Sequence, residues 1–237
     1  MVKTIVSSRS SVTERLRCRV VGVIASRADL DRAMRMRRPP DLFEVRLDCL
    51  VRIVEQLENK LQRLRAPLII TARHPREGGA NKLSLRQRRN LLTRFLPHAD
   101  YIDVELRSAI ALRSLLRLAV QKKVGRIISF HSFKSTPPPR ILSAKARAVV
   151  AHGANIFKVA TRTDTPVQLA RLLSLIENNN FDLPVSAMGI GKLGAISRVL
   201  LARAGSALAY ASLATGSDIE GQLSLEQLRA LGIASRR

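Results

Sequence analysis

Lys158 interrupts an apolar run, Asn-Ile-Phe-Lys-Val-Ala over 155–160. Poor hydration and nearby cations both favour the neutral amine over the ammonium, and a neutral amine attacks carbonyl carbons to form an imine. The same residue type in the same place could instead close an internal ion pair with Glu44, Glu77 or Glu105. His131 ends a second apolar run, 27 residues before Lys158. Histidine moves protons near neutral pH. On an adjacent strand, about 5 Å away, it could face the same reacting atom as the lysine. Alone, a histidine at such a place reads as a hydrogen-bonded structural residue. Beside a lysine amine it reads as the acid/base of a carbonyl reaction.

Other apolar runs also carry charge. Glu44 and Arg46 lie in one, followed by Asp48; another ends in Arg73 and the turn His-Pro-Arg-Glu77-Gly-Gly79; a third holds Asp103 and Glu105. Charges inside apolar strands cost several kcal/mol unless paired, so their repetition over six runs marks a site. Gly189-Ile-Gly-Lys-Leu-Gly194 fits G-x-G-x-x-G, but it comes late in the chain and has no acid about twenty residues on. It therefore reads as an anion-binding loop at a helix start rather than a dinucleotide fingerprint. Arg198 follows it as a bidentate partner for a carboxylate. His74, His98 and His152 make no metal-ligand spacing, and Cys18 and Cys49 fill neither a zinc site nor a disulfide framework. No metal and no cofactor are expected, and a reducing compartment suits the two cysteines.

The elements that must position these residues recur regularly. Apolar runs at Val20–Ala25, Leu42–Leu47, Leu68–Ala72, Tyr101–Leu106, Arg126–Phe130, Asn155–Ala160, Pro184–Met188 and Ala207–Leu213 start 22 to 33 residues apart. Stretches of helical period lie between them, as in Ile53–Leu64 and Ser108–Val120. A strand plus crossover helix needs this spacing, and continuously apolar strands belong to a covered parallel sheet. Eight such units predict an α/β fold, a (β/α)8 TIM barrel in one domain over 18–233. The competing architecture is a doubly wound open sheet. Residues 1–17, Ser/Arg-rich with a single acid, read as a basic tail or capping segment, and 234–237 as a C-terminal tail. Ser135–Arg140, with three prolines, reads as a stiff loop.

The net charge is +23, from 41 Lys+Arg against 18 Asp+Glu. From Leu106 to Thr163 there is no acid at all. Such an excess suggests nucleic acid, an anionic membrane surface or an anionic small molecule as a partner. With two tyrosines, six phenylalanines and no tryptophan, however, stacking platforms are scarce. The arginines of Arg32–Arg38 and Arg86–Arg94 read as solvated helix faces, leaving nucleic acid only as a non-specific electrostatic partner. No apolar run reaches the roughly 18–20 residues of a membrane span.

Taken in order, the segments Phe43-Glu-Val-Arg-Leu-Asp48, Thr71-Ala-Arg73 with Glu77-Gly-Gly79, Asp103-Val-Glu105, Ser129-Phe-His131, Phe157-Lys158-Val-Ala, Met188 through Gly194 to Ser197-Arg198, and Gly205-Ser-Ala-Leu resemble type I 3-dehydroquinate dehydratase, the Schiff-base enzyme of the shikimate pathway. The resemblance runs from about Val20 to Leu231. It implies a barrel, commonly a homodimer in the cytoplasm, that dehydrates 3-dehydroquinate without a cofactor. It also implies roles. Lys158 would form the imine, His131 would take the C2 proton and protonate the leaving C1 hydroxyl, and Glu77 would orient His131. Glu44, Arg46 and Arg73 would hold ring hydroxyls, while Arg198, Ser217 and Gln222 would serve the carboxylate end.

The chain departs from the family's pattern in three places: Ser132 after the histidine, Val23 where a substrate-contacting serine is common, and a longer, more acidic last loop at Ser217-Asp-Ile-Glu-Gly-Gln222. Two other functions remain open from the residues: another Schiff-base lyase or aldolase on the same barrel, and a basic nucleic-acid-binding protein.

Overall fold

A computed structural model describes residues 18–214 and 219–233. Eight parallel strands alternate with eight helices: β1 (Arg19–Ile24), α1 (Arg27–Arg35), β2 (Leu42–Arg46), α2 (Val54–Leu61), β3 (Leu68–Thr71), α3 (Leu85–Phe95), β4 (Tyr101–Glu105), α4 (Arg113–Gln121), β5 (Gly125–Ser132), α5 (Pro139–Ala151), β6 (Ile156–Arg162), α6 (Pro166–Glu177), β7 (Val185–Ile190), α7 (Gly194–Ala204), β8 (Leu208–Ser212) and α8 (Leu225–Ala230). Each expected strand is present. The order β7-β6-β5-β4-β3-β2-β1-β8 brings the last strand beside the first, as a barrel requires and a doubly wound open sheet does not.

The final seam, between β7 and β8, is not a regular ladder. It is closed by a single backbone bond from Ala207 to Val185 (2.8 Å) and by serine side chains. Ser206 Oγ accepts the Ala187 amide, and Ser186 Oγ donates to the Leu208 carbonyl. The hydroxyls satisfy backbone groups that a ladder would otherwise have paired.

Strands that look uniformly apolar in sequence carry a hidden period of two. One phase packs outward under the helices, as with Phe43, Val45, Ile70, Val104, Phe157 and Val159. The other fills the barrel with Val21, Leu42, Ile69, Ile127, Ile156 and Leu208. Two residues further along that inner phase come Glu44, Thr71, Asp103, Ser129, Lys158 and Tyr210, all buried. The polar layer therefore rests on an apolar plug, toward the carboxyl ends of the strands.

Several helices begin where sequence chemistry dictates. Ser84 with Gln87, Thr165 with Gln168 and Ser224 with Gln227 form capping boxes at α3, α6 and α8. Two expected helices start later than their periodicity suggested. Val51–Ile53 and Leu106–Ser108 form single tight turns before α2 and α4, because i→i+3 bonds satisfy the chain as it leaves the strands. The proline loop is shorter than expected, since Pro139 opens α5 at the position where a missing N–H costs nothing.

Candidate active site

A cavity of about 290 Å³ opens among the strand ends; Glu44, Arg46, Arg73, Glu77, His131 and Lys158 line it, and so do Arg198 and Gln222. A larger cleft of about 890 Å³ sits between the end of α6 and the start of β7, among Glu177, Asn179 and Asp182. It contains none of the candidate catalytic or substrate-binding residues expected from the sequence.

Lys158 lies on the cavity floor, buried on the inner face of β6. Its Nζ donates to Glu44 Oε1 and to Asp103 Oδ2, each at 3.0 Å, and stands 3.8 Å from the centre of the Tyr210 ring. The ion pair and the reactive placement expected as alternatives thus coexist. Of the three carboxylates considered from sequence only Glu44 takes part, and Asp103 was not among them.

Arg73 is fully engaged beneath the same floor. Its guanidinium donates to both oxygens of Asp103 (3.1 and 2.7 Å), to Glu105 (3.2 Å) and to Ser129 (2.7 Å). Against the cost of burial, those carboxylates keep Arg73 well above the usual guanidinium value, and the Arg73 and Lys158 charges in turn hold the buried Asp103 far below the usual carboxylate range. Arg88 supports the network from outside. Expected on a solvated face, it is instead buried, bonding the Ala72 carbonyl, Glu105 and Ser108. An arginine run on a helix reads as solvent-facing until one of its members proves to sit on the core stripe.

His131 is the penultimate residue of β5, two residues beyond Ser129, which pairs with Lys158 in the β5–β6 register. Its Nδ1 lies 3.0 Å from Glu77 Oε2, and its backbone N–H donates to the same oxygen at 3.0 Å. Burial, with the Arg73 and Lys158 charges next, holds the imidazole well below its ordinary value. Burial and then the Glu105 charge push Glu77 up to about 7. Glu77 reaches this place on a tight turn, Pro75–Glu77, closed by Gly78 at φ +83. A Cβ on the next residue, Gly79, would collide with the Arg73 carbonyl.

Arg46 is bidentate to Asp48 (3.0 and 2.8 Å) and also donates to the Gly78 carbonyl. Arg198 is different. Its NH1 donates to the carbonyls of Gly189, Gly194 and Gly221, its buried Nε has no partner among the described residues, and no carboxylate there pairs with it. Burial alone lowers it to about 10. A guanidinium left uncompensated in this way is built for an incoming anion.

The glycine loop before it does not bind anions through its amides. Gly189 donates to Ser197 Oγ, Gly191 to the Glu220 carbonyl, Lys192 to Asp164, Leu193 to Thr163 and Gly194 to Gly191. With those donors committed, the loop's contribution is to seat Arg198. Gln222 reaches the cavity on the last loop, whose Gly221 lies close against Gly194. Val23, on β1, also lines the cavity. Ser217 lies outside the described residues. Sequence reasoning gave no role to Asp103 or Tyr210. The signal for both was the inner phase of the strands, two residues above the apolar plug.

The sequence profile described as Type I 3-dehydroquinase matches residues 18–233. A protein of Pyrococcus abyssi named 3-dehydroquinate dehydratase is 34% identical over 194 residues, covering 81% of this chain and 86% of its own length. One of Thermococcus gammatolerans with the same name is 32% identical over 215 residues, covering 90% and 96%. The crystal structure of 3-dehydroquinate dehydratase from Geobacillus kaustophilus superposes with a TM-score of 0.81 at 27% identity, covering 91% of this chain and 90% of that one.

Proposed function

The chain belongs to the type I 3-dehydroquinase family, and from that premise we propose how its own residues dehydrate 3-dehydroquinate. The reaction is that of a hydro-lyase in the shikimate pathway, with the Schiff-base mechanism characteristic of the family. An aldolase on the same barrel and nucleic-acid binding as the main role, both open from the residues alone, give way to this assignment.

The observation that carries the residue assignment is the cavity floor. One amine, Lys158, is held between two carboxylates, and a histidine already paired to a carboxylate lies on the adjoining strand. Lys158 attacks the substrate ketone, and the resulting protonated imine draws electrons from the neighbouring carbon. His131 then needs only modest basicity to remove the C2 proton. With Nδ1–H donated to an ionised Glu77, its Nε2 is the free base. The same proton returns to the C1 hydroxyl as it leaves, and water releases the product from Lys158. Such acid/base catalysis contributes about 10²–10⁴-fold.

Binding divides along the cavity. Glu44 Oε2, which takes no hydrogen bond among the described residues, serves a ring hydroxyl, with Arg46 and Arg73 beside it. Arg198 and Gln222 take the carboxylate, with Ser217 assigned to the same end by resemblance alone. Residues 18–233 act as one catalytic domain; residues 1–17 and 234–237, expected as a basic tail or capping segment and a C-terminal tail, lie outside the described residues. The reading extends to a homodimer in the cytoplasm, for which sedimentation and fractionation are the tests. No described helix is long and apolar enough to cross a membrane.

Borohydride reduction in the presence of 3-dehydroquinate tests the reading. A stable adduct on Lys158, found by peptide mass analysis and absent in Lys158→Ala, is expected together with growth of enone absorbance. Neither adduct nor enone in the unmodified protein would sink it.

A further inference from the structure

Tyr210 lies on the inner face of β8, packed into the barrel's inner cluster. Its ring stands against the Lys158 nitrogen at 3.8 Å from the centroid, and the residue lines the cavity. Its hydroxyl is buried and has no hydrogen-bond partner among the described residues. Buried phenols normally find one. A phenylalanine would give the same ring face without stranding a polar atom, so the oxygen calls for a use.

Imine formation supplies one. When the Lys158 ammonium and a ketone condense to a protonated imine, the carbonyl oxygen leaves as water with two of the nitrogen's three hydrogens. The single positive charge is conserved, and one N–H remains. Nζ donates to two carboxylates before the reaction, so one of them must lose its donor. Asp103 keeps both Arg73 nitrogens and Ser129. Glu44 Oε1 keeps only Thr71 at 3.0 Å and the longer Arg73 contact at 3.6 Å. Glu44 is the group left short.

We propose that Tyr210 is a positioning residue for the imine step, its ring seating the charged nitrogen before and after condensation and its hydroxyl supplying Glu44 with the donor that Lys158 gives up. The inference rests on the dehydratase reading above. A protonated imine is a cation just as an ammonium is, so one ring face attracts both. Burial, with the Glu44 and Asp103 charges next, holds the phenol well above its ordinary value, so it stays a donor throughout.

Two variants separate ring from hydroxyl. Tyr210→Phe keeps the ring, and removal of an orphaned oxygen leaves the thermal midpoint unchanged or raises it. Its kcat is expected to fall about tenfold with KM within about twofold, and the rate of borohydride trapping at Lys158 to fall in step. Tyr210→Leu also loses the ring face and is expected to trap slower again by about fivefold. Parental kcat and trapping rate in Tyr210→Phe would overturn the role of the hydroxyl, and equal trapping in the two variants would overturn that of the ring. The unmodified protein is the control: if it neither traps nor turns over, the dehydratase reading has failed, whereas normal trapping with an indifferent Tyr210→Phe sinks this proposal alone.

Discussion

The His131–Glu77 pair makes a sharp prediction about pH. Glu77 is pushed up to about 7 while His131 is held below its ordinary value, so on acidification the added proton goes to the carboxyl and not to the ring. A protonated Glu77 donates to Nδ1, which moves the ring hydrogen to Nε2 and abolishes the base. The value of kcat/KM is therefore expected to fall as pH drops through about 7. Glu77→Gln, whose amide oxygen still accepts from Nδ1–H, should move that limb to lower pH; a limb that stays in place in the variant counts against the pairing. Arg198 makes a prediction of the opposite kind. With no carboxylate beside it among the described residues, Arg198→Leu should raise KM about 100-fold, as expected for losing a charge-assisted partner, and lower the thermal midpoint, because the Gly189, Gly194 and Gly221 carbonyls lose their shared donor. Lys158 was legible in the sequence because a cation among Ile, Phe and Val has few innocent explanations. Tyr210 was not, because an aromatic among alanines and leucines reads as core, and only the third dimension reveals that its oxygen has no partner and that its ring meets an ammonium.

Among the elements, the tight turn after β3 does the most for the site. It delivers Glu77 to His131, and it exists because Gly79 allows the chain to press against the Arg73 carbonyl. Gly79→Ala is expected to cost at least about 1 kcal/mol of stability and to lower kcat at least tenfold by displacing Glu77, although no side chain in the cavity has changed. Denaturant unfolding and steady-state kinetics check the two halves; normal kcat in a destabilised variant would show that the turn is structural only. The strands were readable because eight apolar runs at crossover spacing admit few folds. Their facing was harder, since residues buried on both sides hide the alternation that distinguishes inward from outward. Helix starts such as Val54 and Arg113 were blurred by the tight turns ahead of them, which continue the helical spacing of side chains. The glycine loop shows the limit of motif reading: its composition suggested amides free for an anion, and the fold spends them on Ser197, Asp164 and neighbouring carbonyls.

At the scale of the molecule the charge remains conspicuous. Between Glu77 and Asp164 the sole exposed acid is Asp100, since Asp103 and Glu105 are buried beneath the site. The basic residues of this stretch, apart from buried members such as Arg88 and Lys158, lie on α3, α4 and α5 and on the turns, loops and strand ends between them. One substrate carboxylate does not call for that, because exposed charges beyond about 8 Å are screened at physiological salt. Retention on a polyanionic resin is expected at about 0.05 M salt and release by about 0.5 M, without sequence preference for nucleic acid and without loss of dehydratase activity. Binding that resists salt would point to a shaped site instead. The net charge was plain in the sequence; its segregation from the buried acids was not, because only folding decides which carboxylates solvent can see. The seam between β7 and β8 bears on how the chain could be rewired. The ladder runs unbroken from β8 through β1 to β7, so the first and last strands of the chain are hydrogen-bonded neighbours, and the sheet's own discontinuity falls next to Gly205. A circular permutant opened there, with the native ends joined, would begin at β8 and carry every paired strand in ladder order, bringing connectivity and hydrogen bonding into register for the first time.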